Sequence, residues 1–178
     1  MKKVNGAVLG LLLLQTACSQ ETVPTVDAIQ AAYDRSDFVQ ARELARRALN
    51  ANPADPRVIL LNSQIAIESD SPDYALTALR PLLSDPDYGA RARSWLGRAL
   101  VMSNQPAAAL QLLGDRAPTD GLSAAVSVVA HRALGELDRA REAFATGKAA
   151  FPNSPDLIMI EAEEALRVGD VGHARAQV

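Results

Sequence analysis

Aromatic side chains make up only 4% of this 178-residue chain, which has a single tryptophan and a single cysteine, Cys18. With one cysteine, the chain contains no internal disulfide and no zinc site built from cysteines. Basic residues number 18 against 21 acidic ones, a formal net charge of −3. Lysine is especially scarce, because Lys148 is the only one after the first three residues. We therefore expect no nucleic-acid binding, for which clustered lysine and arginine supply the affinity.

The N-terminal segment has the features of an export signal. A basic start at residues 2–3 is followed by an apolar run over residues 4–14. The run is too short to span a bilayer, which takes about 20 apolar residues. With small residues following it, the segment is typical of a secretory signal peptide over residues 1–17. The remainder of the chain is then expected to fold outside the cytoplasm.

Residues 14–19, Leu-Gln-Thr-Ala-Cys-Ser, resemble the processing box of bacterial lipoproteins. In that family the leader is cut just before the cysteine, which is then acylated. The resemblance implies a lipid on Cys18, a tether over residues 18–24 and a periplasm-facing, membrane-anchored lipoprotein of the cell envelope. Gln15 departs from the family, which has an aliphatic residue there, and ordinary leader cleavage with an incidental cysteine is the alternative. Ser19 resembles the residue that accompanies outer-membrane sorting in enterobacteria.

Small residues recur along the rest of the chain at intervals of 34, 34, 31 and 34 residues. They are Ala41, Ala75, Ala109, Ala140 and Ala174. Residues typical of turns stand five positions before each of these alanines, at Ser36, Asp70, Asn104, Gly135 and Gly169. Self-similarity at this period predicts an array of helical hairpins, each of which buries its apolar face against its neighbours.

The units resemble the tetratricopeptide repeat (TPR), in which Leu-Gly and Ala-x3-Phe recur at fixed places. The third unit has Leu96-Gly97, and the fourth has Ala140 followed by Phe144. The resemblance implies an all-α, right-handed α-solenoid of about five helix-turn-helix TPR units, the last of them incomplete. The units are expected over residues 25–54, 55–88, 89–119, 120–154 and 155–178. Their helices are expected over residues 25–35 and 38–51, 56–68 and 72–84, 88–102 and 106–114, 120–134 and 137–150, and 155–167 and 171–178.

The one irregular interval, 31 residues, falls between the third and fourth units. Pro118 lies nine residues after Ala109, whereas the closing prolines of the first and fourth units lie twelve residues after their alanines. The second helix of the third unit is therefore predicted to be about one turn short, ending near Gly114. A kink or gap is expected near residues 114–121.

Groove residues follow from the resemblance. In TPR proteins the first helix of each unit lines a concave groove, so its outward side chains are expected to contact a partner. Those side chains are Arg57, Leu60, Gln64, Arg91, Trp95, Arg98, Val129 and Arg132. Arg91, Trp95 and Arg98 share one helix face by their spacing, and arginine matches carboxylates, which predicts an extended or C-terminal peptide with acidic groups. The alternative is that both arginines are solvated and Trp95 packs between units.

No glycine-rich phosphate loop, nucleophile elbow or paired serine–histidine arrangement occurs, so neither an enzyme nor a cofactor is predicted. His131 occupies a packing position and is interpreted as a structural histidine. Asp170 and His173 could form one edge of a metal site but lack further ligands, so no metal is predicted. The acidic run over residues 161–164 is interpreted as a solvated face.

The predicted function is a protein-protein interaction scaffold, or adaptor, in the bacterial cell envelope that supports secretion or surface-polymer assembly. A lipoprotein leader joined to repeats resembles the TPR lipoproteins of exosortase and exopolysaccharide loci. The last helix pair lacks cover for its apolar face, which favours two alternatives. The chain is a structural element that self-associates through its C-terminal end, or it is the repeat appendage of a longer protein whose activity lies beyond residue 178.

Overall fold

The computed structural model describes residues 22–167, 169 and 175. Within them the chain forms nine α-helices and one 3₁₀ helix, over Arg80–Ser84, and no strand. The α-helices are α1 Val26–Asp34, α2 Phe38–Ala51, α3 Pro56–Glu68, α4 Asp73–Ala78, α5 Gly89–Met102, α6 Pro106–Leu113, α7 Gly121–Ala133, α8 Leu137–Ala150 and α9 Pro155–Arg167. The leader, Cys18 and most of the predicted helix over 171–178 lie outside the described residues.

Each hairpin turns at a residue with a left-handed backbone. Positive φ angles occur at all five predicted turn positions, with values of 58° at Ser36, 55° at Asp70, 57° at Asn104, 76° at Gly135 and 81° at Gly169. Glycine and asparagine accept this conformation most readily, because it crowds a larger Cβ against the backbone. The predicted turn register is confirmed.

Helix starts are fixed by short polar side chains. Thr25, Asp37 and Asp55 each accept a hydrogen bond from a backbone N–H in the first turn of α1, α2 and α3. Asp120 and Ser123 form a reciprocal capping box at α7. Such caps satisfy N–H groups that have no partner inside the helix. The Ser94 hydroxyl on α5 lies 2.9 Å from Asp120 Oδ2, which links the third and fourth repeats.

Helix pairs approach closely at the alanines of the 34-residue register. Ala41, Ala75 and Ala109 are 0% exposed, and Ala140 is 3% exposed. At the α7–α8 contact, a Cβ placed on Gly147 would lie 2.7 Å from the Cβ of Ala124. Larger side chains at these points would force the helices apart.

The core runs through the stack as three clusters, each of which spans neighbouring repeats. The first joins α1, α2 and α3 around Ile29 and Ile65, and the second joins α3 to α7 around Leu79 and Leu96. The third joins α7, α8 and α9 around Leu157. Because every hairpin shares its apolar face with the next, the repeats stabilise one another as in other solenoids.

Two second helices differ from the regular pattern. The helix predicted over 72–84 is α only through Ala78 and continues as the 3₁₀ helix. Pro81 explains this change, because it lacks an N–H and disfavours the α conformation in the residue before it. Helix α6 has eight residues, against 14 in α2 and α8, which confirms the predicted shortening. Its last residue is Leu113, and Gly114, where φ is 64°, follows as the C-terminal cap.

No helix among the described residues is long and apolar enough to cross a lipid bilayer.

Replacing Ala109 with leucine should lower the free energy of unfolding by about 1–3 kcal/mol, because the extra volume has no space at the helix crossing. The matched control is Ala107→Leu, on the exposed face of the same helix, where the change should stay within about 0.5 kcal/mol. Urea unfolding followed by circular dichroism measures both. Equal destabilisation by the two variants would contradict the close-approach role of the alanine register.

Candidate functional site

The first helices of the hairpins, α1, α3, α5, α7 and α9, carry the predicted groove residues, and we call the surface they share the inner surface. Of the predicted residues, Arg57, Arg91 and Val129 are exposed, while Trp95, Arg98 and Arg132 are partly buried. Leu60 and Gln64 are buried. The inner surface therefore contains six of the eight side chains expected there.

The expectation that Leu60 and Gln64 point outward is wrong. Leu60 is 2% exposed and belongs to the central core, and Gln64 is 7% exposed. Helix α3 packs on both sides, because Leu61 and Ile65 belong to the cluster with α1. Gln64 follows Leu60 by four residues and so lies on the same buried face. Neither side chain is available to a partner in this structure.

Arg98 connects three first helices. Its Nη1 lies 2.9 Å from Asp156 Oδ1 on α9, and its Nη2 lies 3.5 Å from Glu68 Oε1 on α3. The guanidinium carbon also lies 5.7 Å from the centre of the Trp95 ring, within cation–π range. All three charged side chains are about one-third exposed, so the ion pairs are only partly screened by water. Arg98 thereby joins repeats two, three and five.

Tyr33 on α1 borders the same charges. Burial, followed by the Glu68 carboxylate, raises the pKa of Tyr33 above its ordinary value, while the Arg98 guanidinium acts in the opposite direction. Asp156 also contributes to the electrostatic environment of this phenol. The site around Arg98 is therefore formed by side chains of α3, α5 and α9, and its charges act on the Tyr33 phenol of α1.

Trp95 packs against the core, as the second interpretation of the sequence predicted. Its ring is partly buried and contacts the central core cluster, and Arg98 covers it from the inner side. The packing interpretation is thus confirmed for Trp95. The interpretation that both arginines are simply solvated is wrong for Arg98, which is held by two carboxylates.

Two further predicted arginines are also paired. Arg57 bonds to Asp55, its own helix cap, at 2.8 Å, and this hydrogen bond holds the pKa of Asp55 below its ordinary value. Arg132 Nη2 lies 3.4 Å from Glu164 Oε2 on α9. Arg91 is exposed and forms no ion pair with any residue of the described segment. Among the predicted groove arginines it is the one whose charge is not matched by a nearby carboxylate.

The interpretation of the acidic run over residues 161–164 as a solvated face is wrong for Glu161 and Glu164, which form ion pairs, whereas Glu163 is exposed. Lys148 Nζ on α8 lies 2.8 Å from Glu161 Oε2, and Glu164 contacts both Arg132 and Arg167. Sequence spacing cannot reveal the contacts with Lys148 and Arg132, because these residues lie on neighbouring helices, whereas Arg167 lies three residues after Glu164 on α9 itself. The ion pairs connect α9 to α7 and α8.

His131 is a partly buried histidine whose Nδ1 lies 2.6 Å from Glu136 Oε2. This hydrogen bond lowers the pKa of Glu136. No group of three or more potential metal-binding side chains occurs within residues 22–167. Asp170 and His173 lie outside the described residues. The contact of His131 is with the turn that follows its own helix, which is a structural arrangement.

Comparison with known proteins identifies the fold. No protein-family model matches the sequence, and no curated protein matches it. Among solved structures, the chain is similar to a thermophilic TPR protein of Thermus thermophilus, with a TM-score of 0.71 and 21% sequence identity over 85% of each chain. Together with the hairpin register, this likeness shows that the chain has the fold of an all-α TPR solenoid.

A double-mutant cycle should detect the ion pair between Arg98 and Asp156. Removing both side chains, as Arg98→Met with Asp156→Asn, should reveal a coupling energy of about 1 kcal/mol that decreases at high salt. The control cycle uses Arg141 and Asp138, which are 73% and 99% exposed, and should give about zero. Chemical unfolding at two salt concentrations measures both cycles, and a zero coupling for the first pair would rule out the link between the repeats.

Proposed function

We propose that this protein is a protein-interaction scaffold of the bacterial cell envelope whose inner surface binds an acidic segment of a partner. The observation that carries the proposal is the face of α5, where exposed Arg91 continues the line of Trp95 and Arg98. A guanidinium offers a fork of donors that matches a carboxylate, and the partly buried tryptophan beside it supplies apolar contact area. The TPR fold itself suggests protein binding rather than catalysis, although a fold alone does not define a function.

Partner binding on this surface would begin at Arg91. The Arg98 charge already interacts with Glu68 and Asp156, and the Arg57 charge with Asp55. An incoming carboxylate would compete with these internal partners, whereas Arg91 has no ion-pair partner within the described part of the chain. Val129 on α7, which is 37% exposed, adds apolar surface on the next first helix.

The lipoprotein character of the chain is a second part of the proposal. Its support is the sequence over residues 1–19, which lies outside the described residues. A lipid on Cys18 would hold the solenoid at the periplasmic side of a membrane, with the outer membrane favoured by Ser19. Several acyl chains together give stable anchoring, at about 0.8 kcal/mol per buried methylene.

The anchor is tested by comparing the wild-type chain with Cys18→Ser for uptake of a labelled fatty acid and for fractionation with the cell envelope. If the wild-type chain takes up no label and both chains fractionate identically, the anchor is excluded.

A role in secretion or surface-polymer assembly, as in the TPR lipoproteins of exosortase and exopolysaccharide loci, is the narrower form of this proposal. It rests on the combination of leader and repeats. The main alternative is self-association through α9, favoured by its exposed Met159 and Leu166 side chains, which are 53% and 57% exposed. A mass that rises with protein concentration in light scattering would support that alternative.

Crosslinking in intact envelopes tests the scaffold proposal, with Arg91→Glu compared with the wild type. We expect a partner captured by the wild type to be lost in the variant, because charge reversal repels an acidic segment. Arg42→Glu, an exposed position on the second helix α2, makes the same charge change elsewhere and should capture the partner normally. Arg98 is left unchanged, since reversing it would also break its two ion pairs. Identical capture by all three proteins, or capture of only the chain's own copies, would contradict the proposal.

A further inference from the structure

The shortened helix α6 leaves an open cleft between the second helices of the third and fourth repeats. The cleft has a volume of about 540 Å³. Its floor is α7, one wall is the segment over residues 114–119, and the other wall is α8. The second helices of the first and fourth repeats, α2 and α8, have 14 residues each, whereas α6 has eight, so the cleft lies at the gap that the 31-residue interval predicted.

The cleft is distinct from the inner surface. On α7 it uses Ser127 and His131, whereas Val129 belongs to the inner surface. Positions two apart on an α-helix differ by about 200° around its axis, so Val129 points away from both of them. A ligand in the cleft would leave the α5 face with Arg91 and Trp95 accessible.

Three guanidinium groups line the cleft, each from a different part of the chain. Arg93 comes from α5, Arg116 from the segment after α6, and Arg139 from α8, while the carboxylates among the lining residues are Asp115 and Glu142. The formal charge of the lining is therefore positive before His131 is counted, in a chain whose net charge is −3. The cleft is a local exception to the acidic character of the protein.

Most N–H donors of these guanidiniums remain available to a ligand. Arg93 makes one contact of 3.4 Å to the Leu83 carbonyl oxygen, and Arg139 makes one of 3.5 Å to Glu136. Arg116 is exposed and forms no ion pair within the described part of the chain. Each guanidinium carries five N–H donors, and a carboxylate can accept two of them in parallel. Leu110 and Leu113 add apolar surface at the edge of the cleft.

We propose that this cleft is a binding site for a short ligand that carries more than one carboxylate. Its volume falls within the range of small-ligand pockets, which is roughly 300–1,000 Å³. It combines apolar lining with a few convergent charged groups, as such pockets do. The carboxylates belong either to an acidic run in a peptide or to a free polycarboxylate, and the two share the same recognition chemistry.

A titration of the full ¹⁵N-labelled chain, followed by nuclear magnetic resonance, tests the proposal with two probes, a tetraglutamate peptide and citrate. We expect saturable shifts of the backbone amides around Arg116, Ser127 and Arg139 with at least one probe. The probe that binds identifies the source of the carboxylates. A tetraglutamine peptide of the same length should leave these signals unchanged.

Two variants make the test specific. Arg116→Gln with Arg139→Gln should weaken binding by about a hundredfold, because each change removes one charged partner. Arg35→Gln with Arg42→Gln alters the net charge equally at exposed positions outside the cleft and outside the α5 face, and should bind as the wild type does. An insertion of three alanines between Leu113 and Gly114 restores the 34-residue interval and should close the cleft. If this insertion unfolds the chain, the Arg116→Gln, Arg139→Gln variant still tests the site.

Three results would overturn the proposal. The first is an absence of shifts with both probes, and the second is shifts confined to the inner surface around Arg91 and Val129. The third is equal affinity in the two paired-glutamine variants. The envelope scaffold is judged separately, by the crosslinking test of Arg91→Glu on the inner surface, so the cleft proposal can fail while the scaffold proposal stands.

Discussion

The close approach of helices at small residues is the constraint on which the rest of the structure depends. Ala41, Ala75, Ala109 and Ala140 are buried where the two helices of a hairpin cross, and Gly147 allows α8 to approach Ala124 on α7. At these distances the apolar side chains of one hairpin reach those of the next, so the core continues from repeat to repeat. The inner surface exists because this packing sets all the first helices side by side.

Charge on that inner surface is largely neutralised from within. Arg98, held between Glu68 and Asp156, joins repeats that are far apart in sequence, whereas exposed Arg91 forms no ion pair with any residue that the structure describes. A surface of this kind discriminates between ligands, since a carboxylate at Arg91 gains a partner and one at Arg98 has to displace others. The charge of the cleft beside α6 is not neutralised in this way. There a missing turn exposes basic side chains that a complete helix would cover.

The local features of the fold could be predicted from the sequence. The five turn residues, the buried alanines and the short α6 all follow from the spacing of residue types, because glycine, asparagine, alanine and proline have strong local preferences. The misassignment of Leu60 and Gln64 arose because spacing along α3 does not show how closely α1 and α5 pack on either side. The partners of Arg98 and Lys148 could not be predicted, since they depend on the curvature of the whole stack. Pro81 could have indicated the 3₁₀ helix, because proline inside a helical pattern is a local signal.

Repeats two, three and five converge on Arg98, and a proximity measurement is the sharpest check of this arrangement. Cysteines would be introduced as Glu68→Cys and Asp156→Cys in a chain with Cys18→Ser, and then joined with a short bis-maleimide. We expect rapid crosslinking within one molecule, because both native carboxylates lie within 3.5 Å of the same guanidinium. A pair on the outside of the stack, Arg42→Cys with Arg139→Cys, should not react within one molecule. If the pair at positions 68 and 156 also fails to crosslink while the chain remains helical, the inner surface is open and the repeats do not converge on Arg98.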